Sequence, residues 1–76
     1  MNSRYKEIDR IIENLIRRVE AGEAVYIYGV RIRRMYKVPA GRRYRVVAEL
    51  EDGRRLEMPP SVFLDRVWNK AELLHS

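Results

Sequence analysis

The chain has 76 residues, no cysteine and a formal charge of +5, from 16 Lys/Arg against 11 Asp/Glu. That length holds one small domain and leaves no room for a second core. The lack of cysteine excludes disulfides and thiolate metal sites and fits a reducing, cytoplasmic setting. No apolar run approaches the roughly 20 residues that span a bilayer, and Met1 to Arg10 is not laid out as a signal peptide.

Ser3 to Glu20 is predicted as an amphipathic helix. Tyr5, Ile8, Ile11, Ile12, Leu15, Ile16 and Val19 recur at three- and four-residue steps and so share one stripe. Asn2 or Ser3 can cap the first turn, and Gly22 is a natural C-terminal stop. The stripe is wide: Ile11 and Ile16 flank the seam made by the others. Such a helix either wraps deeply into its own domain or offers a flank to a protein partner or a second copy.

Three strand-like segments with two turn signals follow. Val38-Pro39-Ala40-Gly41 suggests a three-residue loop at Pro39 to Gly41, which pairs Tyr36 with Tyr44, Arg34 with Val46 and Ile32 with Ala48. At Glu51-Asp52-Gly53 a three-residue loop with Gly53 as a bulge sets Ala48 opposite Leu56 and Val46 opposite Met58. A two-residue loop there would mix the faces. This register gives a core face of Val30, Ile32, Tyr36, Tyr44, Val46, Ala48, Leu50, Leu56 and Met58, with Arg34 as intruder. Arg31, Arg33, Met35, Lys37, Arg43, Arg45, Val47, Glu49, Arg55 and Glu57 then face outward. Ala24 to Tyr28 is strand-like but overhangs the second strand, and a bend at Gly29 would let it pair elsewhere.

Pro59-Pro60 ends the third strand. Ser61 can cap a last helix with Leu64, Val67, Trp68, Ala71 and Leu74 on one stripe, where Trp68 would anchor the helix to the sheet. The expected fold is therefore α+β: helix, three-stranded antiparallel meander, helix, with both helices on one sheet face. The alternative is a sheet bent at Gly29 into a small SH3-like barrel.

Catalytic parts are missing from the sequence. His75, the only histidine, is penultimate; Ser3, Ser61 and Ser76 have no credible His/Asp partner; Asp9, Asp52 and Asp65 fit helix faces or a turn. Scattered carboxylates with one histidine make no metal ligand set, and the four glycines mark turns and a bend rather than a phosphate loop. Neither enzyme activity nor a cofactor is expected.

Charge is the one informative signal. Residues 31–45 hold seven cations (Arg31, Arg33, Arg34, Lys37, Arg42, Arg43 and Arg45) and no acid. Outside that window, nine Lys/Arg face eleven Asp/Glu. Arginine outnumbers lysine thirteen to three, and its planar fork suits bidentate contacts with phosphate or guanine edges. The expected function is nucleic-acid binding, to DNA rather than RNA, by Arg31, Arg33, Lys37, Arg42, Arg43 and Arg45 on the outer face and tip of the first hairpin. The expected cluster is exposed and unneutralised. The alternative is a protein-interaction or inhibitor module acting through Ile11 and Ile16, as a homodimer or with another protein.

Gly29-Val30-Arg31 with Arg33-Arg34, and then Val46-Val47-Ala48-Glu49-Leu50, are distantly similar to the plant AP2-type DNA-binding domain, over roughly twenty residues. That resemblance implies a three-stranded sheet backed by a helix, reading DNA with sheet arginines. The family's strand tryptophans are missing here, and its N-terminal region has no counterpart to the helix at residues 3–20.

Overall fold

A computed structural model describes the backbone of residues 3–69 and the side chains of residues 6–67. Helix α1 spans Ser3–Glu20. Strands β1 (Val25–Ile27), β2 (Val30–Ala40), β3 (Arg43–Leu50) and β4 (Arg55–Met58) follow, then helix α2 (Pro60–Arg66) and strand β5 (Val67–Asn69). The strands form one antiparallel sheet in the order β4-β3-β2-β1-β5, so the α+β expectation holds with two strands added to the meander. The expected Asn2 and Ser3 caps, the packing of Tyr5 and Trp68, and positions Ala71, Leu74 and His75 lie outside the described residues.

Helix α1 ends as its sequence dictates. Gly22 takes φ 85° and donates to the Val19 carbonyl, while the Glu23 amide reaches back to that of Arg18. This is the paired closure of a Schellman motif, which only a residue at ease in the left-handed region closes without strain. Ile12, Leu15 and Val19 are buried, and Ile8, Ile11 and Ile16 pack partly against the same core. The wide stripe is thus largely absorbed by the domain itself.

Both helices cover one face of the sheet. Their buried side chains meet Val25, Ile27, Ile32, Met35, Val46, Ala48 and Leu50 in a single cluster, with Phe63 of α2 fully buried in it. Phe63, absent from the expected stripe, is the fully buried anchor that α2 supplies. Truncating a buried phenylalanine costs about 3–5 kcal/mol, of the order of a small domain's whole stability.

The second hairpin has the expected register, Ala48↔Leu56 and Val46↔Met58, with Gly53 at φ 95°. The first does not. Ala40 pairs with Arg43 and Met35 with Ala48, so the loop is Gly41-Arg42 alone, and Pro39 stays in the strand opposite Tyr44. In a two-residue hairpin the pair next to the closing one is non-hydrogen-bonded, which aims the missing N–H of Pro39 away from β3. Since β1 pairs only with Val30 and Arg31, Pro39 sits on an open edge, where proline is tolerated. Gly41 (φ 63°) alone carries positive φ in this loop, the sign pattern of a type II′ turn.

A β-bulge lies between Ile32 and Arg34. The additional residue, Arg33, reverses the in–out phase of everything after it. Arg34, the apparent intruder, is thereby turned outward with Tyr36. Met35, Lys37 and Pro39 turn to the helix side, and Met35 is buried at 2% exposure. One irregular residue resolves the conflict that a regular ladder left in the core.

Two further expectations change. Ala24 to Tyr28 contains β1, which joins β2 through the two-residue turn Tyr28-Gly29 and pairs with β5 on its other side. The helix expected through Leu74 stops at Arg66. Val67 has extended dihedrals, φ −73° and ψ 148°, and Val67–Asn69 fills the open edge of β1. The N-cap is Pro59, with Pro60 in the first turn and no side-chain cap, so Ser61 does not perform the expected capping. A proline in that position has no N–H to leave unsatisfied. The resulting curled half-barrel agrees with the SH3-like alternative.

Candidate nucleic-acid interface

The sheet face away from the helices is built from alternation along three strands. By register it carries Arg34 and Tyr36 from β2, Arg43, Arg45, Val47 and Glu49 from β3, and Arg55 and Glu57 from β4. Arg31 precedes the bulge and Arg33 forms it. Val47, on this outward face, has no exposed surface. It lies directly between Tyr36 and Glu57, so the face is a roofed layer and not a row of solvated side chains.

The roof is a polar network. The Tyr36 hydroxyl donates to Glu49 Oε2 at 3.1 Å, and Arg34 lies over the Tyr36 ring at 5.0 Å. Arg33 meets Glu49 at 3.8 Å. Glu57 is shared between Arg45 (3.3 Å) and Arg55 (3.8 Å). The Tyr36 hydroxyl is also the main reason that the pKa of Arg55 rises above its ordinary value. Arg31 donates to the Gly22 carbonyl at 2.6 Å and faces Glu51 at 4.0 Å.

The expected unneutralised cluster is therefore only partly present. Arg31, Arg33 and Arg45 each have a carboxylate of the same chain in reach. Lys37, expected on the outer face, lies on the helix side, where the bulge places it. Its Nζ bonds Glu13 of α1 and sits 5.1 Å from the centre of the Tyr44 ring. Beside it the Tyr44 hydroxyl donates to Asp9. Burial, reinforced by that bond, raises the Tyr44 pKa well above its ordinary value. Lys37 and Tyr44 thus clamp the hairpin onto α1. Arg42, at the tip, is exposed and has no carboxylate within ion-pair distance among the described residues.

Arginine still predominates on the face. Among the described residues, Arg31, Arg33, Arg34, Arg42, Arg45 and Arg55 have three carboxylates in ion-pair reach, Glu49, Glu51 and Glu57. Each of these ion pairs is 3.3–4.0 Å long and joins at least partly exposed groups. Exposed pairs contribute about 0–1 kcal/mol each, so an incoming phosphate can replace a carboxylate at little cost. Two hollows of about 210 and 270 Å³ adjoin Arg43. Both are smaller than the roughly 300 Å³ at which pockets for drug-sized ligands begin.

Sequence reasoning missed Arg34 and Tyr36 as outward residues, and Lys37 as an inward one. The signal lay in the Arg33-Arg34 pair between Ile32 and Met35, where two charged residues interrupt the alternation. Ile11 and Ile16 are half-buried against the core and do not form an exposed flank. No group of three His, Cys, Asp or Glu gathers among the described residues, and no helix there is long and apolar enough to cross a membrane.

No family model matches the chain, and neither a curated protein nor a solved structure resembles it significantly. The sheet and helices described above replace the three-stranded sheet and single helix that the AP2-type likeness implied.

Proposed function

We propose that the protein binds nucleic acid without catalysing a reaction, through the arginine face of β2 and β3 and the Gly41-Arg42 tip. The observation that supports this reading is the arginine surplus on one face after internal pairing is taken into account. Arg31, Arg33, Arg34, Arg42, Arg45 and Arg55 there have only Glu49, Glu51 and Glu57 in ion-pair reach among the described residues. DNA is the favoured ligand, since an arginine-bearing antiparallel sheet can lie in a major groove, where its side chains reach phosphates and guanine edges. Arg33, Arg42, Arg43 and Arg45 meet the backbone in this account, with Arg31 and Arg34 assisting. Lys37 has a structural role instead. The setting is the reducing cytoplasm.

Partner capture through Ile11 and Ile16 has less support, because both side chains are already engaged with the core. The deciding experiment changes Arg33, Arg42, Arg43 and Arg45 together to Gln and measures binding to a generic duplex at fixed low salt. A loss of at least about a hundredfold is expected, from four phosphate contacts removed. Undiminished binding by this variant removes the proposal.

A further inference from the structure

Tyr28 occupies a backbone position that its residue type disfavours. In the β1–β2 turn both Tyr28 (φ 53°) and Gly29 (φ 76°) have positive φ, the sign pattern of a type I′ turn. Asn-Gly, Asp-Gly and Gly-Gly are the usual occupants there, and a bulky side chain at the first position carries a conformational penalty. Burial does not offset it. Tyr28 is 50% exposed and is the large hydrophobic residue that stands in solvent among those described. Its contact is with Arg66 at the end of α2, whose Nη1 donates to the Tyr28 hydroxyl at 2.7 Å and whose guanidinium lies 5.9 Å from the ring centre. Arg66 has no carboxylate within ion-pair distance among the described residues.

We propose that Tyr28 and Arg66 form a stacking platform for one unpaired base of a single-stranded nucleic acid, with Arg66 also meeting a neighbouring phosphate. This rests on the nucleic-acid reading above and adds a single-strand site to it. An exposed aromatic ring fixed on a tight turn presents a flat face that every base can match, and a guanidinium beside it with no ion-pair partner among the described residues supplies the charge for the backbone. The platform and the Arg42 tip stand at opposite ends of the eleven-residue β2. At about 3.3 Å per residue that is a span of up to roughly 36 Å along the strand. A single strand bound at both ends follows the length of β2, which matches the several-nucleotide sites typical of such grooves.

The test compares wild type, Tyr28→Asn and Tyr28→Phe for binding to oligo-deoxythymidine and to a duplex of equal length, by fluorescence anisotropy at one fixed salt. Asparagine suits the left-handed backbone and removes the ring, so this variant keeps or gains thermal stability. Its single-strand affinity is expected to fall roughly five- to a hundredfold, the range for losing one stacked base. Tyr28→Phe keeps the ring and stays within about twofold of wild type, and duplex binding changes by less than about twofold in both variants. Unchanged single-strand binding by Tyr28→Asn, equal loss on the duplex, or equal loss in Tyr28→Phe overturns the platform and leaves the wider reading standing. A wild-type protein that binds neither ligand overturns both.

Discussion

Strand β3 runs between two hairpin tips that use charge in opposite ways. At Glu51–Gly53, Asp52 accepts hydrogen bonds from the Arg54 amide (3.0 Å) and from its Nε (2.7 Å), while Glu51 faces Arg31. The arginine nearest that loop is part of how the turn closes. At Gly41-Arg42 the turn goes through the positive φ of Gly41, and Arg42 has no acid within ion-pair distance among the described residues. This tip is secured from beneath, by Lys37 on Glu13 and Tyr44 on Asp9. The contrast separates an arginine that closes a loop from one that a loop only presents. Counting charges along a sequence cannot make that distinction.

The largest stability effect expected from breaking this arrangement is at the clamp under the first tip. Tyr44→Phe removes a hydrogen bond to a carboxylate and should lower stability by about 1 kcal/mol in denaturant titration at neutral pH. Its pH dependence follows from the raised Tyr44 pKa. The phenol keeps its proton in the folded state to a higher pH than in the unfolded chain. That contribution is complete below about pH 10 and is lost as pH rises above it. The variant should therefore show a flatter decline in stability on the alkaline side than wild type.

A smaller effect is expected at the other tip. The Arg54 amide holds the Asp52 carboxyl below its usual range, so its contribution is present above the ordinary carboxylate pKa and disappears as pH falls through the lowered folded value. Asp52→Asn should lower the melting temperature slightly at pH 7 and match wild type in strong acid. A difference that persists in acid would mean that Asp52 acts through something other than its charge.

The elements that the sequence revealed are those with one consistent local pattern. Helix α1 combines a stripe at helical spacing with a glycine at its C-terminal end, and the second hairpin has one loop length that keeps apolar residues together. The first hairpin misled because Pro39 belongs to a turn by composition. It stays in the strand because its missing donor faces an open edge. The bulge at Arg33 has no glycine to announce it, and with the two-residue loop it put Lys37 inward and Tyr36 outward while keeping Ile32 in the core. Val67-Trp68-Asn69 suits either period, and the open edge of β1 decided in favour of strand. As for the candidate site, its location on β2 and β3 was legible from charge clustering. Its partial neutralisation by Glu49, Glu51 and Glu57 was not, because those acids lie outside the 31–45 window and arrive by strand pairing.

The most direct test of the account compares two variants with equal loss of charge in a salt-titrated binding assay on duplex DNA. Arg42 and Arg43 to Gln alters the presenting tip, whereas Arg18 and Arg54 to Gln removes two arginines that already face Glu23 and Asp52. Wild type engaging about five phosphates should show log affinity falling with log salt at a slope of roughly −4 to −5. The first variant should flatten that slope by about two, and the second by less than about one. Equal flattening in both would mean that binding follows net charge alone, which contradicts the assignment of the tip and its face as the interface.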